Sequence, residues 1–435
     1  MQNTWRIQMR SQTLARDGFA RRVSVLVGAA LSFLGVELGL GSSRAADWPR
    51  FLGPFRNGTT AEVIPKKLPA DGPPQLWRAR VGAGYSGPVV SQGKAILFHR
   101  SDNQEIIEAF DAVTGKSLWK AAYPATYVDD FGFDNGPRGT PVVDGSRVYA
   151  MGADGDVIGV NLSDGSVAWR VNARKQWGAG KGFFGMACSP LVDGTNVLLN
   201  IGGSDGAGII ALDRDTGRLA WKATDHEASY SAPVMAELAG GIRRVLFFTR
   251  TGLVGLDPIT GRVHFEQPWR ASMSASVNAT APLVIQDQVF LTSSYDVGGI
   301  LLRMSPDKVQ KLWSNDESLS SQFSSVVHSQ GYLYGFHGRV DGAKPDLRCV
   351  ALNTGKVAWS KDGYGPGCVL LVGGDLLVVL ESGEVVVSSA GPKAFQERMR
   401  VQGFGKETRA MSAFAGGKLY GRDKQYLICL DFLGQ

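Results

Sequence analysis

The sequence predicts an all-β fold, an eight-bladed β-propeller closed by pairing of its N- and C-terminal strands. Three observations predict it. One short phrase recurs along the chain, its copies end 44 to 52 residues apart, and the two ends of the chain carry complementary parts of one copy. A repeat of this length is typical of a four-stranded propeller blade. A seven-bladed ring is the alternative.

The recurring phrase is an apolar strand, an Asp or Asn, a Gly and, four residues later, a Trp. Asp or Asn can bond the backbone N–H groups of a turn, Gly takes the positive φ that closes it, and Trp offers a flat surface to fill the gap between twisted blades. Copies end at Trp119, Trp169, Trp221, Phe265, Trp313 and Trp359, where Phe265 replaces the Trp and the copy ending at Trp313 has lost its Gly. Each copy therefore predicts two strands joined by a turn.

A second signal lies upstream of each phrase, where a small residue and a Pro precede an apolar run. It occurs at Gly87-Pro88, Thr140-Pro141, Ser189-Pro190, Ala232-Pro233 and Ala281-Pro282, and continues without Pro at Ser325, Gly367 and Met411. Crowding near a propeller axis favours small side chains, and Pro is tolerated at the start of a strand. These sites are predicted to open the innermost strands.

The two ends of the chain complete the count of blades. Residues 426–432 form a strand and the start of a turn, and the chain then stops before any Trp strand, whereas Gln75–Arg78 is a Trp strand with nothing before it. Pairing these two strands closes the ring and removes an exposed sheet edge. With a degenerate blade that ends near Arg398, eight blades result.

The first 45 residues are predicted to be a signal peptide. Arg21 and Arg22 precede an apolar run from residue 23 to 40, and Ser43-x-Ala45 is a cleavage pattern. An uncleaved membrane anchor and a twin-arginine signal are the alternatives. No Cys precedes Cys188, so no lipid anchor is expected. The mature protein is expected in the periplasm or otherwise exported, with residues 46–75 as an N-terminal extension and 76–435 as the propeller.

Composition excludes some functions. The formal charge of +6 falls to +2 once the first 45 residues, with six Arg against Asp17 and Glu37, are set aside. A nucleic-acid-binding protein needs concentrated Lys and Arg, so nucleic acid is not an expected partner. The five His and four Cys lack metal-ligand spacing. Cys188, Cys349, Cys368 and Cys429 are expected to be free and buried, and neither a metal site nor a catalytic residue is predicted.

The phrase resembles the repeat of the pyrroloquinoline-quinone (PQQ) propellers, A-L-D-x-x-T-G-x-x-x-W, from Leu76 to Asp431. That family includes quinoprotein alcohol dehydrogenases and non-enzymatic outer-membrane assembly factors of the BamB type. The segments 47–54 and 135–141 are also similar to a group of exported bacterial propellers. The resemblance implies PQQ with Ca²⁺ as the alternative cofactor assignment. The loop residues Asp129, Asp130, Asp134 and Asn135 have two interpretations, as oxygen ligands or as turn-forming residues.

We expect an exported binding or assembly scaffold without a cofactor, and a PQQ-dependent dehydrogenase of an alcohol or sugar is the alternative. A monomer is expected. The starts of the inner strands are predicted to place five polar residues near the axis, where a ring fold has its concave site. They are Arg138, Tyr230, Asn278, Gln322 and Arg409. Because two are Arg and none is acidic, a small anionic ligand, an acidic peptide or another protein partner is expected at this mouth.

Overall fold

The described residues of the computed structural model, 47–274 and 276–434, form eight sheets arranged in a ring, seven with four strands and one with five. The eight-bladed prediction is confirmed and the seven-bladed alternative is wrong. The first strands of neighbouring blades contact one another in at least five of the eight neighbouring pairs of the described residues, so these strands surround the axis. The predicted signal peptide lies outside the described residues and stays a prediction. Within the described ranges, no helix is long and apolar enough to cross a bilayer.

Two strands precede the first complete blade, β1 (Thr59–Thr60) and β2 (Gln75–Arg80). Blade 1 contains β3 (Val89–Ser91), β4 (Lys94–Ser101), β5 (Gln104–Asp111) and β6 (Ser117–Pro124). Blade 2 contains β7 (Val142–Asp144), β8 (Arg147–Met151), β9 (Asp156–Asn161) and β10 (Val167–Asn172), and helix α1 (Ala173–Trp177) follows it. Blade 3 contains β11 (Leu191–Asp193), β12 (Asn196–Asn200), β13 (Ile209–Asp213) and β14 (Leu219–Ala223).

Blade 4 contains β15 (Val234–Leu238), a 3₁₀ turn (Ala239–Gly241), β16 (Ile242–Phe248), β17 (Gly252–Leu256) and β18 (Val263–Pro268). Blade 5 contains β19 (Leu283–Ile285), β20 (Gln288–Ser293), β21 (Gly298–Ser305) and β22 (Lys308–Asn315). Blade 6 contains β23 (Val327–Ser329), β24 (Tyr332–His337), β25 (Asp346–Ala351) and β26 (Val357–Lys361). Blade 7 contains β27 (Gly367–Val372), β28 (Asp375–Leu380), β29 (Glu384–Ser389) and β30 (Glu397–Gln402).

Blade 8 joins the two ends of the chain. It contains β31 (Ala413–Ala415), β32 (Lys418–Arg422) and β33 (Tyr426–Asp431), and its outermost strand is β2. In the antiparallel pair, Trp77 lies opposite Cys429 and Arg78 lies opposite Ile428. The predicted closure of the ring is confirmed.

Each repeat Trp packs on the turn of the next blade. The indole of Trp119 covers Gly165, where an added Cβ would lie 2.5 Å from the ring, and its Nε1 donates to the carbonyl of Leu162 at 3.0 Å. Gly165 has a φ of 74°. Gly is therefore required at this position for two reasons: the turn needs a positive φ, and the indole leaves no room for a Cβ. In blade 7 the Trp position, opposite Val387, is occupied by Met399.

The Asp of the phrase holds the turn as predicted. The Oδ1 of Asp111 accepts from the backbone N–H groups of Val113 and Thr114 at 3.1 and 2.8 Å, and from the Thr114 hydroxyl at 2.8 Å. These hydrogen bonds lower the pKa of the Asp111 carboxyl. The four Cys are buried and unpaired, as expected.

The ring has two distinct faces because strands alternate in direction. We call the face that carries the connections between successive blades the upper face, and the face that carries the Asp–Gly turns the lower face. The Pro of each small-residue–Pro pair lies directly before a first strand, as at Pro141 and β7. The predicted innermost strands are confirmed, and the residues just before them lie at the upper end of the channel.

The segment 47–60 crosses the channel from the lower side, which the sequence did not reveal. Trp48 pairs with Val90 of blade 1, and β1 pairs in parallel with β27 of blade 7. Between them, the guanidinium of Arg56 donates to the carbonyls of Pro190 and Pro233 at blades 3 and 4. Burial lowers the pKa of Arg56 to about 9. The N-terminal extension is thus a plug of the channel.

Candidate functional site

A cavity of about 1020 Å³ opens at the upper mouth of the channel. Phe51 of the plug lines it, and its inner wall consists of residues just before the first strands, which include Thr140, Ser189, Ala232 and Ser324. These side chains are small, as crowding near the axis requires. The connections between blades and the upper turns within blades 5, 6 and 7 supply the rest of the wall, so the cavity is the concave site of the ring.

Four of the five residues predicted for this site line the cavity, namely Arg138, Tyr230, Gln322 and Arg409. The fifth, Asn278, is only 3% exposed and is not part of the lining. Its Nδ2 donates to the carbonyls of Thr249 and Trp269 at 2.9 and 3.2 Å. Asn278 therefore holds the connection between blades 4 and 5, and the prediction that it faces the channel is wrong.

Arg138 lies among three aromatic rings. Its guanidinium carbon is 5.5 Å from the centroid of Tyr85, 6.0 Å from that of Tyr127 and 5.7 Å from that of Phe184. Nη2 donates to the carbonyl of Asp134 at 3.1 Å, and buried Nη1 has no hydrogen-bond partner among the described residues. The charge is surrounded by ring faces and one carbonyl, and the nearest carboxylate, that of Asp129, lies 3.8 Å away.

The loop acids near Arg138 accept hydrogen bonds from backbone N–H groups of their own loop and of the connection before β3. The Oδ2 of Asp129 accepts from the N–H of Phe133 at 2.6 Å, and Asp134 accepts from the N–H groups of Gly136 and Gly84 at 2.6 and 3.1 Å. The side chain of Asn135 accepts from the N–H of Asp129 at 2.8 Å. Of the two interpretations of this loop, the turn-forming one fits these contacts. In the described part of the chain, no group of three or more His, Cys, Asp or Glu is arranged to hold a metal ion.

Arg409, in contrast, has a close counter-charge. Its Nη2 lies 2.6 Å from the Oε1 of Glu381, and its guanidinium carbon is 5.2 Å from the Tyr85 ring and 5.5 Å from the Phe323 ring. Although burial works in the opposite direction, the carboxylate of Glu381 raises the pKa of Arg409. For the neighbouring Tyr85 hydroxyl, burial raises the pKa.

The charge of the cavity differs from the expectation. Four acids line it, Asp341, Glu381, Glu384 and Glu407, against Arg138, Arg339, Lys344, Lys406 and Arg409. Asp341, Glu381 and Glu384 lie in or directly after turns within blades 6 and 7, away from the starts of the inner strands. Glu407 lies in the connection before β31, two residues from Arg409. The lining is therefore mixed in charge, whereas the five residues expected from the sequence included two Arg and no acid.

Four Phe residues form a second feature of the mouth that the sequence did not reveal. They belong to the connections before β7 and β11 and are Phe131, Phe133, Phe183 and Phe184, which we call the aromatic lobe. The Phe184 ring lies 5.2 Å from Phe131 and 6.0 Å from Phe133, and Phe131 and Phe133 are 55% and 58% exposed.

The lobe is fixed in place from two sides. The backbone N–H of Phe184 donates to the hydroxyl of Tyr230 at 2.8 Å, and Lys181 bridges to Asp130 at 2.7 Å across the two connections. The lobe is therefore an ordered apolar surface beside the cavity.

Trp177 is not part of the lobe. It ends α1, in the connection between blades 2 and 3, and packs half-buried on the core that these two blades share.

The comparisons with known proteins agree with the fold. The sequence model of the family described as "Outer membrane protein assembly factor BamB" matches residues 67–224, 103–361 and 205–431. A comparison with curated proteins gives no match.

Solved structures of two functional classes share the architecture. BamB from Moraxella catarrhalis is 17% identical, with a TM-score of 0.60 over 83% of this chain and 98% of that one. Quinohemoprotein alcohol dehydrogenase from Comamonas testosteroni is 13% identical, with a TM-score of 0.65 over 90% of this chain and 81% of that one. A europium-containing methanol dehydrogenase is 12% identical, with a TM-score of 0.66 over 88% and 89%. At these identities the likeness shows the fold alone.

Proposed function

Since the chain belongs to the PQQ-repeat family described as outer membrane protein assembly factor BamB, we propose that it is an exported, non-catalytic binding scaffold. Its working surface is the upper mouth of the channel. The observation that carries this proposal is the character of that mouth, where the lining acids are paired with Arg or Lys and a lobe of exposed Phe stands beside them.

The donor set of the cavity does not fit Ca²⁺ with a quinone. Calcium takes six to eight oxygen ligands, several of them carboxylates. Each of the four lining carboxylates already has a cationic partner. The ion pairs are Glu381–Arg409, Asp341–Arg339, Glu384–Arg400 at 2.8 Å and Glu407–Lys424 at 2.9 Å. A cation would have to displace these partners. We derive no redox step through this site.

Export is the part of the proposal that rests on the sequence. The basic, apolar and small-residue pattern of the first 45 residues is that of a secretory signal. The family description, which names an outer-membrane assembly factor, supports the same location. An exported scaffold of this kind binds a protein or peptide partner.

Titration with the quinone tests the proposal. When PQQ is titrated with excess CaCl₂ into the purified protein in a calorimeter, we expect no saturable heat, and no reduction of a dye when alcohols or sugars are added. A known quinoprotein apoenzyme is the positive control. Micromolar binding by the wild type that is lost in Arg138→Ala, together with dye reduction, would show a quinone-dependent dehydrogenase instead.

A further inference from the structure

We propose that the aromatic lobe and Arg138 form one docking site for an extended segment of a protein partner, in which an acidic residue is flanked by large apolar residues. This inference rests on the proposed scaffold function and specifies the chemistry of its partner. Three observations support it. The rings of the lobe are exposed, the charge of Arg138 is incompletely neutralised, and two other aromatic rings of the cavity are covered by Arg side chains.

The first step is the exposure of the lobe. Phe131 and Phe133 leave more than half of their surface to solvent. Both contact the ring of Phe184 in tilted or edge-on geometry, and Phe184 itself lies 5.8 Å from Tyr230 in the cavity wall. A contiguous apolar surface beside a cavity marks an interaction site. Aromatic residues, Phe among them, and Arg are also enriched at protein interfaces relative to the rest of the surface. The lobe therefore offers contact area to apolar side chains of a partner.

The second step is the charge of Arg138. Its nearest carboxylate is that of Asp129, at 3.8 Å, which also accepts from the N–H of Phe133 and the hydroxyl of Tyr127. The Arg138 side chain is 12% exposed and lines the cavity. A positive charge held among rings in a partly dry site attracts an acid more strongly than one in bulk water. A carboxylate entering beside the lobe thus gains a charge-assisted contact.

The third step concerns the opposite wall, where aromatic faces are covered. The guanidinium carbon of Arg339 lies 4.4 Å from the Tyr295 ring centroid, and that of Arg400 lies 5.1 Å from the Tyr364 ring centroid. Both Arg are also paired with acids. Each of these two rings therefore already carries an Arg on one face, and that Arg is neutralised by an acid. Apolar contact and acid binding coincide at the lobe and Arg138, which favours a segment that carries both.

The test is selection of peptides from a randomised display library on the folded full chain, followed by synthesis of the enriched sequences. Affinities are measured by fluorescence anisotropy on the wild type, on Arg138→Gln and on the double variant Phe131→Ser/Phe133→Ser. The matched control is Ile259→Ser, which removes an even more exposed apolar side chain (71%) from a lower-face turn. Melting temperatures of all four proteins confirm folding, and Arg138→Lys serves if Arg138→Gln is unfolded.

We expect enriched peptides that contain an acidic residue next to an aromatic or large aliphatic one. Both site variants should weaken binding by at least about tenfold, equivalent to about 1.4 kcal/mol, and Ile259→Ser should not. Raising salt from about 0.1 to about 1 M should weaken binding to the wild type more than to Arg138→Gln. Peptides without an acid, or binding unaffected by Arg138→Gln, would overturn the inference and leave the scaffold function standing. Recovery of no binder would also overturn it, whereas quinone binding in the calorimeter would overturn the function.

Discussion

Removal of residues 426–435 should abolish soluble, monomeric protein. The deletion removes β33, which pairs with β2 on one side and β32 on the other, and whose residues Leu427 to Leu430 are at most 4% exposed. Without it, blade 8 loses its centre and Trp77 loses its strand partner. The ring then opens and leaves two unpaired sheet edges, which are templates for aggregation.

The matched control is a chain that ends at Leu433, which keeps β33 whole and should stay soluble with an unchanged elution volume. Size-exclusion chromatography and thermal melting distinguish the two chains. Cooperative melting of the shorter chain at the wild-type temperature would show that pairing of β2 with β33 does not hold the ring together.

Truncation of a repeat Trp should have the second-largest effect. Trp119 is 9% exposed, packs on Gly165 and donates from Nε1 to the carbonyl of Leu162. Trp119→Ala removes a contact between blades 1 and 2 and leaves a cavity, so we expect the free energy of unfolding to fall by about 3 to 5 kcal/mol. Denaturant titration measures the loss.

Substitution of two other Trp residues should lower the free energy of unfolding by smaller amounts. Trp221 occupies the same repeat position in blade 3, but it is only half-buried and its Nε1 has no hydrogen-bond partner among the described residues, so Trp221→Ala should cost less than Trp119→Ala. Trp177, at the end of α1 and outside the repeat, should cost about 1 kcal/mol. Equal losses at Trp119 and Trp177 would contradict the assignment of the periodic position.

The blades were predictable because their signals are local. Asp111, Thr114 and Gly115 hold one turn through contacts within a few residues, and the same chemistry recurs in later copies. The composite blade was predictable because a Trp strand at one end and a missing one at the other complete one repeat. The degenerate blade was also predicted, although Met399 occupies the position that Trp has in other blades.

The site was only partly predictable because its contacts join distant loops. The position of Arg138 before β7 pointed to the channel, but the same reasoning placed Asn278 there, and it instead bonds Thr249 and Trp269. The aromatic lobe depends on the meeting of two connections about 50 residues apart in sequence, as Lys181 and Asp130 do. Neither periodicity nor turn chemistry reports such meetings.

The plug is a further long-range feature. Arg56 bonds carbonyls that are 134 and 177 residues away, and nothing in the composition of the segment 47–60 marks it as a channel-filling element. Its presence makes the upper mouth the open end of the cavity. This asymmetry between the faces adds to the reasons for assigning function to the upper face.

The most direct test of a scaffold that works through its upper mouth is site-specific photocrosslinking in the cells that produce the protein. A photoreactive amino acid is placed at Phe131 in one version and at Ile259, on the lower face, in another. We expect irradiation to give a discrete protein adduct from position 131 that is absent from position 259 and is reduced by Arg138→Gln. No adduct from position 131, or the same adducts from both positions, would contradict the account.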